Sequence, residues 1–258
     1  LGDERRQAGV NGARLAAACF CLLSAAGTAA SAERTPVDLE LAFVVDASGS
    51  IDDEETRLQR QGYADALVNP RVLAAVTGGT HQSIAVAYIE FAARDCTRIG
   101  VPWTRIADKA SAESVGVAIL ALPRQFCPGG NAIGEAVNAA SASIAANEFE
   151  GARRVIDVSG DGPNTFAPAV ETARDLAVAS GITINGLVID QPRFPDLENY
   201  FRRAITGGPG SFVIKAESRR AFGEAIVKKL VIEIAGEESL SLPGGPRAAI
   251  IPPPEPAR

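Results

Sequence analysis

Six short apolar runs, interleaved with stretches of helical character, limit what this chain can fold into. Val37–Val45 (VDLELAFVV), Gln82–Phe91 (QSIAVAYIEF), Arg154–Ser159 (RVIDVS) and Ile182–Ile189 (ITINGLVI) are close to continuously hydrophobic. Runs of this kind read as strands covered on both faces, as in a parallel sheet. Val101–Ile106 reads as a short edge strand and Phe212–Lys215 as a last strand. Between them the pattern predicts helices from Ile51 to about Val68, ahead of Asn69-Pro70, and over Ser111–Leu122, Ala132–Ala146, Ala167–Ser180, Leu197–Ala204 and Arg219–Ile234. Ser50, standing before Asp52-Asp53-Glu54-Glu55, is the expected N-cap of the first helix. Gly181 is the expected stop of the fourth. Strands alternating with helices give an α/β fold: a doubly wound, mostly parallel sheet with helices on both faces, Rossmann-like in plan. In such a fold ligands bind beyond the carboxyl ends of the strands.

Hydrophobic residues are 47% of the chain and charged residues 22%, enough apolar material for a sizeable core. The net charge is −6 and Lys and Arg are not clustered, which argues against nucleic acid as a partner. Residues 1–32 read as a secretory signal peptide. Arg5, Arg6 and Arg14 make the start basic, Leu15–Gly27 is apolar, and Ala30-Ser31-Ala32 supplies small residues for cleavage. That apolar run is shorter than the roughly 20 residues a bilayer span requires. No transmembrane segment is expected in the mature chain. The predicted domain is residues 33–236, followed by a Pro-rich flexible tail over residues 237–258. Cys96 and Cys127 lie in the mature part. Export to an oxidising compartment makes a disulfide between them the expected state, with two buried thiols as the alternative.

Two strand ends carry chemistry. In Val45-Asp46-Ala47-Ser48-Gly49-Ser50, one carboxylate and two hydroxyls alternate along a turn that Gly49 allows to be tight. In Val158-Ser159-Gly160-Asp161-Gly162, a second carboxylate leaves another strand. Hard cations such as Mg2+ take oxygen ligands of this sort. The first stretch resembles the D-x-S-x-S signature of the metal-ion-dependent adhesion site of von Willebrand factor type A domains. Strand and helix order resemble that family from Val37 to Ala235, and the Val-Ser-Gly-Asp-Gly-Pro-Asn and Gly-Gly-Asn-Ala-Ile-Gly stretches are similar to a branch of exported bacterial proteins of unknown function.

The resemblance implies metal ligation by Asp46, Ser48, Ser50 and Asp161, the serines directly and the aspartates often through water. The family's second loop supplies a Thr after a Gly-Gly pair, and here Asn131 follows Gly129-Gly130. Asn131 is therefore either a ligand through its amide oxygen or the N-cap of the helix beginning at Ala132. Asn164 reads as a turn residue. His81, the only histidine, reads as an exposed loop residue, and Trp103 as a packing residue. No nucleophile elbow, P-loop or dinucleotide fingerprint occurs.

The expected function is that of an exported, non-enzymatic binding module. It would hold Mg2+ (or Mn2+ or Ca2+) above the sheet and capture a carboxylate of an envelope protein, in the periplasm or outside the cell. One alternative is a metal-dependent hydrolase or phosphatase with Asp46 as nucleophile. Another is a scaffold whose site holds no metal, because Asn131 stands in the usual Thr position.

Overall fold

In a computed structural model, residues 33–124, 127, 129–218 and 221–236 are described. The expected signal peptide and tail lie outside them. The elements run β1 (Thr35–Asp46), α1 (Asp53–Leu67), α2 (Pro70–Thr77), β2 (Ile84–Phe91), β3 (Arg98–Ile106), α3 (Lys109–Leu120), α4 (Ile133–Ala146), β4 (Phe149–Gly160), α5 (Val170–Ala179), β5 (Thr183–Ile189), α6 (Leu197–Tyr200), β6 (Val213–Ala216) and α7 (Phe222–Ala235). A π-helical turn over Phe201–Ile205 continues α6.

The six strands form one sheet in the order β3-β2-β1-β4-β5-β6. All neighbours are parallel except β2 and β3, so the edge strand expected at Val101–Ile106 is the antiparallel one. The sheet is thus the doubly wound kind. Chain order turns back on itself between β1 and β4, and there the two carboxyl ends stand side by side. Asp46 lies opposite Phe91 of β2, and Val45 lies opposite Ser159 of β4.

Alternation along each strand divides the core. Leu39, Leu41, Phe43 and Val45 face a cluster with Tyr63, Leu67, Phe222 and Leu230 of α1 and α7, to which α2 and α3 add Val72 and Ile119. Ala42 and Val44 face the other layer, where α4 and α5 bring Ile133, Val137, Ala140 and Ala173. The small residues of α4 let its axis come close to the sheet. Gly134 is packed so tightly that a Cβ there would strike the carbonyl of Pro168. Trp103 packs against both the second layer and a small end cluster, and donates from Nε1 to Ser143 Oγ at 2.6 Å.

Three local expectations need correction. Asp52, not Ser50, caps α1. Its carboxylate accepts from Glu55 N–H at 2.8 Å while Glu55 Oε2 accepts from Asp52 N–H at 2.9 Å, a reciprocal capping box. Asn69-Pro70 does end α1, but it also opens α2: Asn69 is the N-cap and Pro70 the first helical residue. The N-cap position of α4 is Ala132, and Asn131 stands before it without capping. The orphan N–H of Gly134 is met instead by Asn164 Oδ1, at 3.1 Å from a different loop. The expected disulfide is formed. Cys96 and Cys127 are 31 residues apart in sequence with Cα atoms at 6.4 Å, and they tie the loop after β2 to the loop before α4.

Candidate metal centre

Three loops meet above the carboxyl ends of β1, β2 and β4. The first, Ala47–Asp52, leaves the central strand and is folded back by its own polar groups. Ser48 N–H donates to Asp46 Oδ1 at 2.8 Å, and Ile51 N–H to the Ser48 carbonyl at 3.0 Å. Arg124 braces the loop from outside. It donates to the carbonyls of Ile51 and Asp52 at 2.5 and 2.8 Å, reaches the Thr56 hydroxyl, and pairs with Asp53 at 3.0 Å.

The second and third loops are stitched together. Asn131 and Asn164 form an isolated parallel bridge. Asn131 N–H donates to Thr165 Oγ1, and Thr165 N–H to the Asn131 carbonyl, both at 2.8 Å. Ala132 N–H donates to the Ala92 carbonyl at the end of β2, also at 2.8 Å. Gly129 has φ +130, a conformation that disfavours any side chain. A Cβ on Gly130 would overlap the Thr165 hydroxyl.

These loops bring the predicted oxygens together. Ser48 and Ser50 hydroxyls lie 3.1 Å apart, and Ser50 Oγ donates to Asp161 Oδ1 at 3.0 Å. Asp46 comes next to them through the backbone of Ser48 and faces Gly160, whose missing Cβ would stand 3.1 Å from Asp46 Oδ2. Asn131 lies beside Gly162, the residue after Asp161. A Cβ on Gly162 would sit 2.7 Å from Asn131 Nδ2, so glycine leaves the space that the amide occupies. Asp46, Ser48 and Asp161 are 1–3% exposed and Asn131 6%, whereas Ser50 stands open to solvent.

Asp46 Oδ2 is buried and without a hydrogen-bond partner. Burial first, and the nearby Asp161 carboxylate second, push the Asp46 carboxyl up to about 7. Two acids are held close, one of their oxygens unpartnered, in a run that includes two hydroxyls. That donor set fits a hard divalent cation. Among the described residues there is no cluster of three or more His, Cys, Asp or Glu suited to a metal. Here two carboxylates are joined instead by two hydroxyls.

Gln191 was not legible in the sequence as part of this set. It leaves β5 and donates from Nε2 to Asp161 Oδ2 at 3.2 Å, fixing the second oxygen of that carboxylate. Arg124 and Asn164 were missed in the same way, because contacts between loops leave no local pattern. His81 precedes β2 and so lies at the opposite end of the sheet, exposed, with its N–H on Asp38 Oδ1 at 2.9 Å. It cannot serve this centre.

A family model described as a protein of unknown function, DUF1194, matches residues 36–238, most of the chain. The chain belongs to that family. Solved structures similar to this DUF1194 chain are von Willebrand factor type A domains, and its fold is theirs. One is the pilus adhesin SpaC of Lactobacillus rhamnosus GG, 16% identical, with 78% of this chain covering 31% of that one at a TM-score of 0.58. Another is proximal thread matrix protein 1 of the mussel byssus with a zinc-occupied MIDAS motif, 17% identical, 79% covering 49%, TM-score 0.55. A third is the SpRpn10 VWA domain, 11% identical, 75% covering 95%, TM-score 0.52. The DUF1194 chain spans between a third and a half of the length of the first structures it matches. No curated protein matches it in sequence.

Proposed function

We propose that this DUF1194 domain is an exported binding module that holds a divalent cation, Mg2+ or a close substitute, between Asp46, Ser48, Ser50, Asn131 and Asp161. The observation that carries this reading is the run of contacts from Asp46 through Ser48 and Ser50 to Asp161, two acids and two hydroxyls from separate strand ends, with one Asp46 oxygen left unpartnered. When bound, the cation supplies a positive charge at the solvent-facing top of the sheet. The chain's own residues do the rest. Asp46 and Gln191 fix the frame, Ser50 stands at the opening, and the loops around it select the partner. The matching ligand is a carboxylate on an envelope protein. Occupied metal motifs on this fold occur in the mussel protein, which supports the reading.

The signal-peptide pattern of residues 1–32 and the disulfide support export to the periplasm or beyond. No helix among the described residues is long and apolar enough to cross a membrane. We take residues 33–236 as the domain and 237–258 as its tail.

Calorimetric titration tests the centre. The domain is expected to take up Mn2+ or Mg2+ at one site, and Asp46→Ala to abolish uptake while keeping the far-UV spectrum. Unchanged uptake in that variant would reject the site. Binding of an acidic envelope partner that survives EDTA would reject the function.

A further inference from the structure

Deeper in the sheet, behind the metal centre along β4, three ionisable side chains are buried together. Lys229 of α7, Asp157 of β4 and Glu233 of α7 have side chains 1%, 2% and 0% exposed. Lys229 Nζ lies 2.6 Å from Asp157 Oδ1 and also touches Glu233 Oε1, one helical turn further on. Asn185 Nδ2 donates to the same Glu233 oxygen at 2.8 Å. The ring centroid of Phe212 is 5.4 Å from the amine.

Fully ionised, this group carries a net negative charge inside an apolar core, which is costly. Holding one extra proton makes it neutral. Burial pushes Glu233 up to about 7, with Asp157 adding to the effect, and burial raises Asp157 as well in spite of Lys229. The amine is shared between two acids. Asp157 and Glu233 both press on it, and Glu233 Oε2 receives no hydrogen bond. An amine pressed against a carboxyl group in a dry site, with a second carboxylic acid on the same nitrogen, is arranged for condensation. Proximity of this kind replaces a bimolecular encounter with a step inside the fold.

We propose that Lys229 and Asp157 join spontaneously in an intramolecular isopeptide bond, with Glu233 relaying the protons. The ammonium proton of Lys229 passes to Asp157, leaving a neutral amine and a carboxylic acid. Nζ attacks Cγ of Asp157 and the C–N bond forms. One oxygen of Glu233 takes a proton from Nζ while its hydroxyl gives one to the departing Asp157 hydroxyl. The Cγ–O bond breaks, one water leaves, and Glu233 returns to its starting form. No oxidant, reductant or activated group is needed. The product ties α7 to β4 and removes two buried charges.

Mass spectrometry of the purified full chain, reduced and denatured, reads the bond directly. A tryptic digest is expected to contain one branched peptide that joins the Asp157 and Lys229 fragments and is lighter than their sum by one water. The branch is expected to be lost in Asp157→Ala and lost or strongly slowed in Glu233→Gln. Separate, unmodified Asp157 and Lys229 peptides from the folded wild-type chain would overturn the proposal, whatever the variants do. Loss of one ammonia instead would place the bond on Asn185 and overturn the assignment to Asp157. A branch formed at the wild-type rate in Glu233→Gln would overturn the relay.

Discussion

At the scale of single residues, the site depends on atoms that are absent as much as on those present. Gly160 leaves room for Asp46, and Gly162 leaves room for the Asn131 amide. A methyl group on Gly162 has no free space to enter, since the nearest atom is the amide nitrogen at 2.7 Å. Gly162→Ala is therefore expected to displace Asn131 at a cost of about 1–3 kcal/mol. Metal affinity measured by titration should fall by about tenfold or more, since 1.4 kcal/mol is a tenfold change. Adding Asn131→Ala should recover stability without recovering affinity. A Gly162→Ala domain with wild-type affinity would show that Asn131 has no part in the centre. The aspartates and serines were legible in the sequence because a strand end followed by alternating oxygens is a local pattern. Asn131 was legible only through its glycines, with ligand and cap roles both open, and the structure decides against the cap. Gln191 carried no signal, because its partner Asp161 lies 30 positions away in another loop.

At the scale of elements, the start of α2 was not read and the start of α1 was read in place but not in detail. Ser and Asp both favour N-caps, and Ser50 was the one expected. The choice fell to Asp52 because Glu55 completes its box, which leaves Ser50 free to face Asp161. Asp52→Ala is expected to cost about 1 kcal/mol of stability by denaturant unfolding. It should leave the Ser50–Asp161 contact in place, so that metal uptake is kept. Asn69-Pro70 was read as a stop alone, since the same two residues that end one helix also begin the next.

Between α7 and the sheet, the raised Glu233 carboxyl makes a pH prediction for the chain before Lys229 and Asp157 are joined. Its folded value of about 7 exceeds its ordinary 4.5. The proton-bound form is thus favoured by folding. Its stabilising contribution is fully present below about pH 4.5 and is lost as pH rises through about 7. The loss has a limiting slope of about 1.4 kcal/mol per pH unit. Glu233→Gln, which cannot ionise, is expected to flatten the decline of stability between those pH values. An unchanged slope would mean that this carboxyl is ionised in the folded chain.

At the scale of the whole molecule, the proposed metal centre would link ligand to fold. The three loops have little regular structure of their own and are held by one another, by Arg124 and by the disulfide. A cation that binds only their folded arrangement must stabilise the domain. At a free concentration of a hundred times its Kd the gain is about 2.7 kcal/mol. The unfolding midpoint is expected to rise with added Mg2+ or Mn2+, to return with EDTA, and to be unmoved by metal in Asp46→Ala. A midpoint indifferent to metal in the wild-type chain would favour a scaffold without a bound ion.

The sequence alone determined the order of strands and helices apart from α2, the mostly parallel sheet, the edge position of β3 and the two strand ends that carry oxygens. Each of these follows from patterns within a few residues, or from rules that leave one topology. Tertiary structure decided which of several capping residues is used, how Asn164 and Gln191 serve residues far from them in sequence, and that Lys229, Asp157 and Glu233 share one buried space. Those outcomes depend on the distance between elements and on the removal of water between them, and neither quantity is written in any local run of the chain.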